Sequence, residues 1–519
     1  MNNFSEAHYF MLPTQGNVYS LAILNLCSGI NKFIIASLKK KIIVFEYSET
    51  TDGALKPNVK EISCSYIPSG AEIIAVDAFN KSDTYDDFQI GLAIAKVNTD
   101  GGQETYLNIY SEQDLDSNNK LNIDNIAQNC SMVELSFVPY HLTHTLIWRR
   151  LECSVNKEIV WLLSGSDNKI HLFVEDRQSH SYMETDITEQ LPEFTVLPSV
   201  GLWIDIRYTH NFTRRVSVVG CECGTLQMSL VNVETNSIIF NQFSILDGPI
   251  TQVKLFSLTP KDIHPPNVFK SLGVKERDCN PDPLKNDLHL IVCSALVPTA
   301  VYMNIQEQGF MERQILDESD LYDVNLCACV ADINFDGFHE ILLGTFGKKI
   351  LIYTWNGDKW MLSGQRNTAN SVHSVHYVDV TNDGVNELLI QTPSGVHILQ
   401  HCPGRVHNVF LSRLKDDDAG REISAEIDIA EAFLVDDVSL EESQECSPDI
   451  AEPPIHLQAG DAVDMMAVGE LSPEASVVNE PLLDTIEVQK PLSDLDVIHK
   501  PLSDMDDYPC EEAFEQTEN

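Results

Sequence analysis

The sequence predicts an all-β protein, a seven-bladed β-propeller followed by an acidic, disordered C-terminal tail. Three observations lead to this prediction. Short aliphatic and β-branched runs bounded by Gly, Asn, Asp or Pro recur through the first 415 of the 519 residues. Many of these runs are paired across a short polar turn, as in β-hairpins. The hairpins recur at intervals of about 40–70 residues, a spacing typical of four-stranded propeller blades.

Individual hairpins are recognised by an apolar run, a small or polar turn and a second apolar run. The clearest are KFIIASLKKKIIVFEY (32–47), LLSGSDNKIHLF (162–173), VVGCECGTLQMSLV (218–231), ILLGTFGKKILIY (341–353) and LLIQTPSGVHILQ (388–400). The last two repeat units, 326–355 and 374–401, also align with each other. Each reads apolar strand, Asp-x-polar-x-Asp-Gly, three residues, apolar strand, turn, apolar strand. Residues 1–415 contain no long segment with apolar residues at helical spacing.

Partitioning the first 415 residues by these units gives seven blades. Their predicted ranges are 16–66, 71–138, 141–187, 199–244, 249–315, 324–363 and 371–414. In a closed ring each blade buries both sheet faces against its neighbours and leaves only short outer edges. Two β-sandwiches are the alternative architecture. The regular unit length and the two matching last units favour the ring.

The C-terminal region, residues 416–519, differs in composition from the rest of the chain. It holds 30 acidic and 3 basic residues, whereas residues 1–415 hold 48 acidic and 31 basic residues. The net charge of the whole chain is −44. This composition predicts disorder, and the net charge argues against nucleic acid and anionic lipid as partners. The near-repeats KPLSDLDVIH (490–499) and KPLSDMDDYP (500–509) fit docking motifs and a solvating tail equally well. The segment 425–438 could form an amphipathic helix on a partner.

The cellular compartment is predicted from what the sequence lacks. No apolar run approaches the roughly 18 residues needed to span a bilayer, and the N-terminus has no secretory signal pattern. Both observations predict a cytoplasmic protein. The pairs Cys221/Cys223 and Cys327/Cys329 lie in apolar runs, where residues i and i+2 share one face of a strand. We therefore expect buried, reduced thiols rather than a zinc site.

The most specific local motif is an acidic loop at residues 332–340. Asp332, Asn334, Asp336 and Glu340 place oxygen side chains at positions 1, 3, 5 and 9, with glycine at position 6 and Phe338 offering a main-chain carbonyl. This spacing resembles the calcium loops of integrin-type FG-GAP blades, so these residues are the candidates for a structural calcium site. A metal-free turn held by Asx hydrogen bonds is the alternative.

A second copy of this acidic loop follows in the next repeat unit. Asp379, Thr381, Asp383 and Glu387 occupy the equivalent positions. Because threonine replaces the amide of the first copy, this loop is expected to bind calcium less well.

Catalytic motifs are missing from the sequence. It contains no G-x-S-x-G elbow, P-loop, H-E-x-x-H helix or G-x-G-x-x-G turn. We therefore predict a protein that is not an enzyme and needs no cofactor beyond a structural calcium ion. His141, His144, His373 and His376 are interpreted as structural residues.

Several segments, in order along about residues 15–414, resemble the kaptin family. They include NVYSL (17–21), ASLKKKIIVFEY (36–47), YIPSGAEIIAVDAFNKS (66–82), YLNIYSE (106–112), LNIDNIAQNCSMVELSFVPYHLTH (121–144), WLLSGSDNKIHLF (161–173), LWIDIRY (202–208), RRVSVVGCECG (214–224), DGPITQVKLFSL (247–258) and GVHILQH (395–401). Kaptin is similar to FG-GAP propeller proteins, in agreement with the blades derived above. The resemblance does not extend to residues 416–519.

The resemblance implies a non-enzymatic scaffold subunit of the KICSTOR complex. Its partners would be a second FG-GAP propeller protein and a very large scaffold subunit. That complex recruits the GATOR GTPase-activating complex to lysosomes and restrains TOR signalling when amino acids or glucose are scarce. A peripheral position at the lysosomal membrane follows from this function.

Two other functions remain open. An actin-filament protein at motile cell edges would need local basic patches, for which Arg149–Arg150, Arg214–Arg215 and Lys39–Lys41 are the candidates. A calcium-dependent adhesion module of integrin type is disfavoured by the absence of a signal peptide.

Overall fold

The structure is a computed structural model. Its described residues are 4–27, 29–39, 41–49, 55–82, 84–111, 129–151, 154–176, 178–258 and 288–416. The predicted disordered tail, with its near-repeats and the segment 425–438, lies outside these residues except for Asp416.

Within the described residues, 28 strands form seven sheets. In chain order the strands are β1 (Phe4–Met11), β2 (Leu21–Asn25), β3 (Asn31–Ser37), β4 (Lys41–Glu49), β5 (Leu55–Ile62), β6 (Glu72–Asn80), β7 (Phe88–Val97), β8 (Gln103–Ser111), β9 (Cys130–Leu135), β10 (Pro139–Leu151), β11 (Ser154–Gly165), β12 (Ile170–Asp176), β13 (Ser181–Thr185), β14 (Gly201–Thr209), β15 (Arg214–Cys221), β16 (Thr225–Asn232), β17 (Ser237–Ile245), β18 (Ile250–Phe256), β19 (His289–Ser294), β20 (Ala300–Tyr302), β21 (Arg313–Ile315), β22 (Asn325–Ala331), β23 (Glu340–Thr345), β24 (Lys349–Trp355), β25 (Trp360–Asn367), β26 (Ser374–Val378), β27 (Glu387–Gln391) and β28 (Gly395–His401).

Each sheet is an antiparallel four-stranded blade. The first six blades take four consecutive strands each, from β2–β5 to β22–β25, and the seventh has the order β26-β27-β28-β1. Second strands such as β19 and β23 are buried along their whole length. Outermost strands such as β25 alternate between buried or half-buried and exposed residues. This difference arises because neighbouring blades cover both faces of the middle strands, whereas the outer strands form the rim.

The hydrophobic core is divided into seven clusters, and each cluster joins two adjacent blades. Clusters link blades one and two, two and three, and so on to six and seven. The last combines Phe33 and Phe45 of the first blade with Leu389 and Ile398 of the seventh. Seven interfaces among seven sheets require a closed ring, so the predicted all-β, seven-bladed propeller is confirmed.

The seventh blade corrects the prediction for residues 371–414. Its fourth strand is not contributed by residues after 401 but by β1, which pairs antiparallel with β28 from Phe4↔His401 to Met11↔Gly395. A strand from the opposite end of the chain holds the ring closed, because opening it would cost both a ladder of hydrogen bonds and a buried interface. Residues 403–416 instead form a helix, whose first residue, Pro403, is favoured at this position.

The described residues also contain four helical segments. They are two 3-10 turns, Ile187–Glu189 and Pro192–Phe194, and the helices α1 (Ile305–Gln308) and α2 (Pro403–Asp416). Among the described residues, no helix has the length and apolar character needed to cross a membrane.

Three aromatic side chains, Tyr19, His141 and Trp203, form a cluster. The hydroxyl of Tyr19 donates to the carbonyl oxygen of Leu202 at 2.7 Å, which joins the segment before β2 to the fourth blade. His141 stacks on Trp203 with a centroid distance of 4.5 Å, and Tyr19 lies 5.5 Å from His141. This cluster links the segment before β2 to the first strands of the third and fourth blades, β10 and β14.

Candidate functional site

The antiparallel strands give the propeller two loop-bearing ends. We call the end with the blade-to-blade connections and the turns between second and third strands the linker face. We call the opposite end, which carries the loops between first and second strands, the helix face. Both acidic loops lie on the helix face, between β22 and β23 and between β26 and β27. Helix α2 joins them there, since Arg405 Nη2 donates to the carbonyl oxygen of Asn334 at 3.2 Å.

The first acidic loop is organised by its own hydrogen bonds. Asn334 Nδ2 donates to Asp336 Oδ2 at 2.9 Å and to Glu340 Oε1 at 2.6 Å. The carboxylate of Asp332 accepts from the main-chain nitrogens of Asp336 and Gly337. The loop therefore has the Asx-type geometry of the metal-free alternative, in which the amide donates to two carboxylates.

The second acidic loop brings its carboxylates closer together. Within the described part of the chain, Asp379, Asp383 and Glu387 are the group of three potential ligands whose oxygens all lie within 4.8 Å of one another. Thr381 Oγ1 donates to Glu387 Oε1 at 2.8 Å, and Gly384 N donates to Asp379 Oδ2 at 2.9 Å. The ligand geometry thus favours the second loop, although the sequence pattern favours the first. In the first loop Asn334 donates to two carboxylates, whereas in the second loop Thr381 donates to one.

The two glutamates that end these loops lie in environments that disfavour ionisation. Burial raises the pKa of Glu340 to about 8 and that of Glu387 to about 7. Neighbouring aspartates raise both pKa values further, whereas hydrogen bonds from main-chain N–H groups lower them. A bound divalent cation would offset this concentration of negative charge, and all the side-chain oxygens are hard donors of the kind that Ca²⁺ prefers. Calcium binding stays a prediction for both loops.

The histidines singled out in the sequence have structural contacts. His144 Nδ1 lies 2.7 Å from Asp77 Oδ2; burial opposes protonation, but the charge and hydrogen bond of Asp77 together raise the His144 pKa. The Nδ1 atom of His141 accepts from Ile204 N at 3.2 Å, and burial lowers its pKa to about 4. Burial also lowers the pKa of His376 to about 4, with Lys254 contributing.

Two of the basic residues predicted as actin contacts, Arg215 and Lys41, form ion pairs within the propeller. Arg215 is buried in a bidentate ion pair with Glu193. Of Lys39–Lys41, Lys41 is paired with a glutamate of β5 and Lys40 lies outside the described residues. The pair Arg149–Arg150 lies in β10.

The cysteine pairs differ from each other. Cys327 and Cys329 are both buried in β22, as the strand pattern predicts. Cys221 is buried at the end of β15, but Cys223 is exposed in the following turn, so the prediction that both lie on one strand face is wrong for this pair. The Gly224 turn ends the strand earlier than the apolar run suggests.

The linker face carries a feature that the sequence reasoning missed. Large apolar side chains are exposed in its loops, among them Val196, Ile245, Leu296, Leu321 and Phe346. Val196 and Ile245 line a groove of about 500 Å³ beside the outer strand of the fourth blade. The only sequence signal was an apolar residue inside a turn, as in ALVPT (295–299), which sequence patterning alone does not distinguish from core.

Seven four-stranded blades closed by an N-terminal strand define a β-propeller. The chain matches the family model described as KICSTOR complex protein kaptin over residues 4–411. The chain therefore belongs to the kaptin family, as the sequence resemblance indicated.

Individual proteins were compared with this chain in sequence and in structure. The KICSTOR complex protein kaptin of Mus musculus is 31% identical over 415 residues, which cover 79% of this chain and 91% of the mouse protein. Among solved structures, the Dos1 propeller is similar with 7% identity and a TM-score of 0.43, covering 76% of this chain and 95% of that one.

Proposed function

We propose that this chain is a non-enzymatic scaffold subunit of a KICSTOR complex. The family match over residues 4–411 carries the proposal, because it spans the whole propeller rather than a single blade. A propeller suits a scaffold, since rigid blades hold several loop surfaces in fixed positions for different partners. The direct partners would be a second FG-GAP propeller protein and the large scaffold subunit of the complex.

Through these partners the chain would recruit the GATOR GTPase-activating complex to lysosomes. It would thereby restrain TOR signalling when amino acids or glucose are scarce. A peripheral position at the lysosomal membrane would then depend on protein contacts, in keeping with the net charge of −44, which disfavours direct contact with anionic lipid.

Affinity purification tests this function. The full-length tagged chain, expressed at endogenous level in cultured cells, is expected to recover the other KICSTOR subunits and GATOR components. Loss of the chain is expected to leave TOR kinase active during amino-acid starvation. Recovery of no KICSTOR subunit from cells that express the folded chain would reject the proposal.

The actin alternative has weaker support. Of its candidate basic residues, Arg215 and Lys41 are used in ion pairs within the propeller. Cosedimentation of the purified chain with actin filaments decides this point, and pelleting with filaments would favour the alternative.

A further inference from the structure

Five exposed apolar residues of the linker face lie in or beside neighbouring loops of the third to sixth blades. We define the apolar stripe as Val196, Ile245, Leu296, Leu321 and Phe346, whose side chains are 75%, 81%, 74%, 63% and 52% exposed. Val196, Ile245 and Leu321 lie in or beside blade-to-blade connections, and Leu296 and Phe346 lie in turns between the second and third strands of the fifth and sixth blades. Single exposed apolar residues need no explanation, but a run of five on one face is typical of an interaction site.

Contacts connect neighbouring loops. Val196 and Ile245 line the same groove. Leu296 then packs over Gly248, where an added Cβ would lie 2.6 Å from the Leu296 Cγ atom.

The stripe continues from the fifth to the sixth blade. Thr299 N donates to Ser319 Oγ at 3.0 Å, which holds the loop of Leu296 against the loop of Leu321. The main-chain nitrogens of Phe346 and Gly347 donate to carbonyl oxygens of that same loop, Val324 and Tyr322, at 2.7 and 3.0 Å. Hydrogen bonds therefore hold the loops of Leu296, Leu321 and Phe346 next to one another.

The charged residues in the loops around the apolar stripe are almost all acidic. The loops 222–224, 246–249, 295–299, 316–324 and 346–348 contain six acidic residues and one lysine, Lys348. The acidic residues are Glu222, Asp247, Asp317, Glu318, Asp320 and Asp323, and all are exposed. The stripe is thus an apolar strip within an acidic rim, which resembles the apolar centre and polar rim of protein interfaces.

We propose that the apolar stripe docks a protein partner whose surface presents apolar side chains flanked by lysine and arginine, and that this partner is a subunit of the proposed complex. The inference therefore rests on the proposed function. The acidic rim disfavours two other binding partners, the chain's own C-terminal region and a second copy of the propeller. The chain's own C-terminal region has a net charge of −27 and a second copy of the propeller is also acidic, so both would be repelled.

The test compares matched triple variants of the full-length chain. Leu296→Ser/Leu321→Ser/Phe346→Ser removes three stripe residues. Ile30→Ser/Tyr85→Ser/Met311→Ser is the control, since these residues are at least 40% exposed in loops of the helix face, outside both acidic loops. Each variant is purified with the other KICSTOR subunits co-expressed, after its thermal midpoint is shown to match that of the wild type.

The stripe variant is expected to recover at least one KICSTOR subunit about tenfold less, and the control to recover all of them as the wild type does. In a second arm, Asp317→Lys/Asp320→Lys is expected to weaken recovery, whereas Glu234→Lys/Asp358→Lys on the helix face is not. Charge reversal should also abolish the salt sensitivity of binding.

Three outcomes overturn the proposal. They are wild-type recovery by the folded stripe variant, equal loss in the control, and self-association or tail binding that depends on the stripe. Self-association is measured by light scattering, and tail binding by comparing the full chain with one that ends at residue 416. Failure of the wild type to recover any KICSTOR subunit instead rejects the proposed function and, with it, this partner.

Discussion

A buried ion pair lies at the junction of the third and fourth blades. Arg215 Nε and Nη2 donate to the two carboxylate oxygens of Glu193 at 2.7 and 2.9 Å, and Ser217 Oγ donates to the same carboxylate at 2.8 Å. The two charged side chains are 3% and 0% exposed. Glu193 lies in the connection between these blades, so the pair ties this segment to β15.

Substitution of one member of this pair should destabilise the chain strongly. Glu193→Gln leaves the Arg215 charge buried without a counter-charge, and we expect a loss of about 3–5 kcal/mol in the free energy of unfolding. The measurement is chemical denaturation of the full-length variant. Glu61→Gln, which breaks the exposed pair with Lys41, is the control and should cost less than about 1 kcal/mol. Equal effects of both substitutions would contradict this account.

Histidine burial predicts a loss of stability in acid. The pKa of His141 is about 4 in the folded chain, below the usual 6.5 of the unfolded chain, so its contribution is complete above pH 6.5 and is lost as the pH falls toward 4. His141→Gln keeps an acceptor for Ile204 N and cannot be protonated. We expect the variant to lose less stability over this range, by up to about 1.4 kcal/mol per pH unit.

Thermal midpoints of the wild type and His141→Gln between pH 4 and 7 measure this difference. Comparison with the variant is essential because Glu340 and Glu387 act in the opposite direction. Their raised pKa values make the folded state bind protons that the unfolded state has lost, so their effect favours the fold in acid. Parallel curves for the two proteins would disprove the role assigned to His141.

Among the strands, β1 has the largest separation in sequence from its partner. All four strands of the other six blades, and β26–β28 of the seventh, pair with strands next to them in the chain. Such local hairpins are predicted well by alternating apolar runs and turn residues. The pairing of β1 with β28 could not be predicted from such patterns, because it depends on the ring bringing the chain ends together. For the same reason the sequence assigned the fourth strand of the last blade to residues that form helix α2.

Deletion of residues 1–12 should open the seventh blade. We expect faster hydrogen exchange in β28, whose outer edge loses its partner, and in β3, which packs against the seventh blade. The exposed edge should also promote self-association. Hydrogen-exchange mass spectrometry measures the first effect and light scattering the second. Unchanged protection of β28 would show that β1 is not needed for closure.

The acidic loops illustrate a second limit of sequence reasoning. Residue spacing alone suggested that the loop of Asp332 was the better calcium site, but the direction of the Asn334 amide depends on hydrogen bonds within the folded loop. The loop of Asp379 instead brings three carboxylates together.

Calcium should therefore act mainly through the second loop. A calcium concentration 100-fold above the dissociation constant would stabilise the chain by about 2.7 kcal/mol. We expect the rise in thermal midpoint with calcium to be lost in Asp383→Asn and retained in Asp336→Asn, with magnesium as the control ion. No calcium-dependent rise in the wild type would establish both loops as metal-free turns.

At the scale of the whole molecule, the ring separates stability from recognition. Seven apolar interfaces close the propeller, and loop residues that lie outside those interfaces stay exposed. The apolar stripe lies in such loops, which is why its residues are exposed and why patterning, which identifies apolar residues but not their burial, could not distinguish them. The total charge of the chain likewise did not reveal the position of the acidic rim.

The central claim is that the propeller carries the interactions of a scaffold subunit. Its most direct test is quantitative recovery of KICSTOR subunits by the full-length chain and by a chain that ends at residue 416, in starved cells at matched expression. We expect both chains to recover the same subunits in equal amounts. A folded 1–416 chain that recovers none, while the full-length chain does, would contradict the claim and place the interactions in residues 417–519.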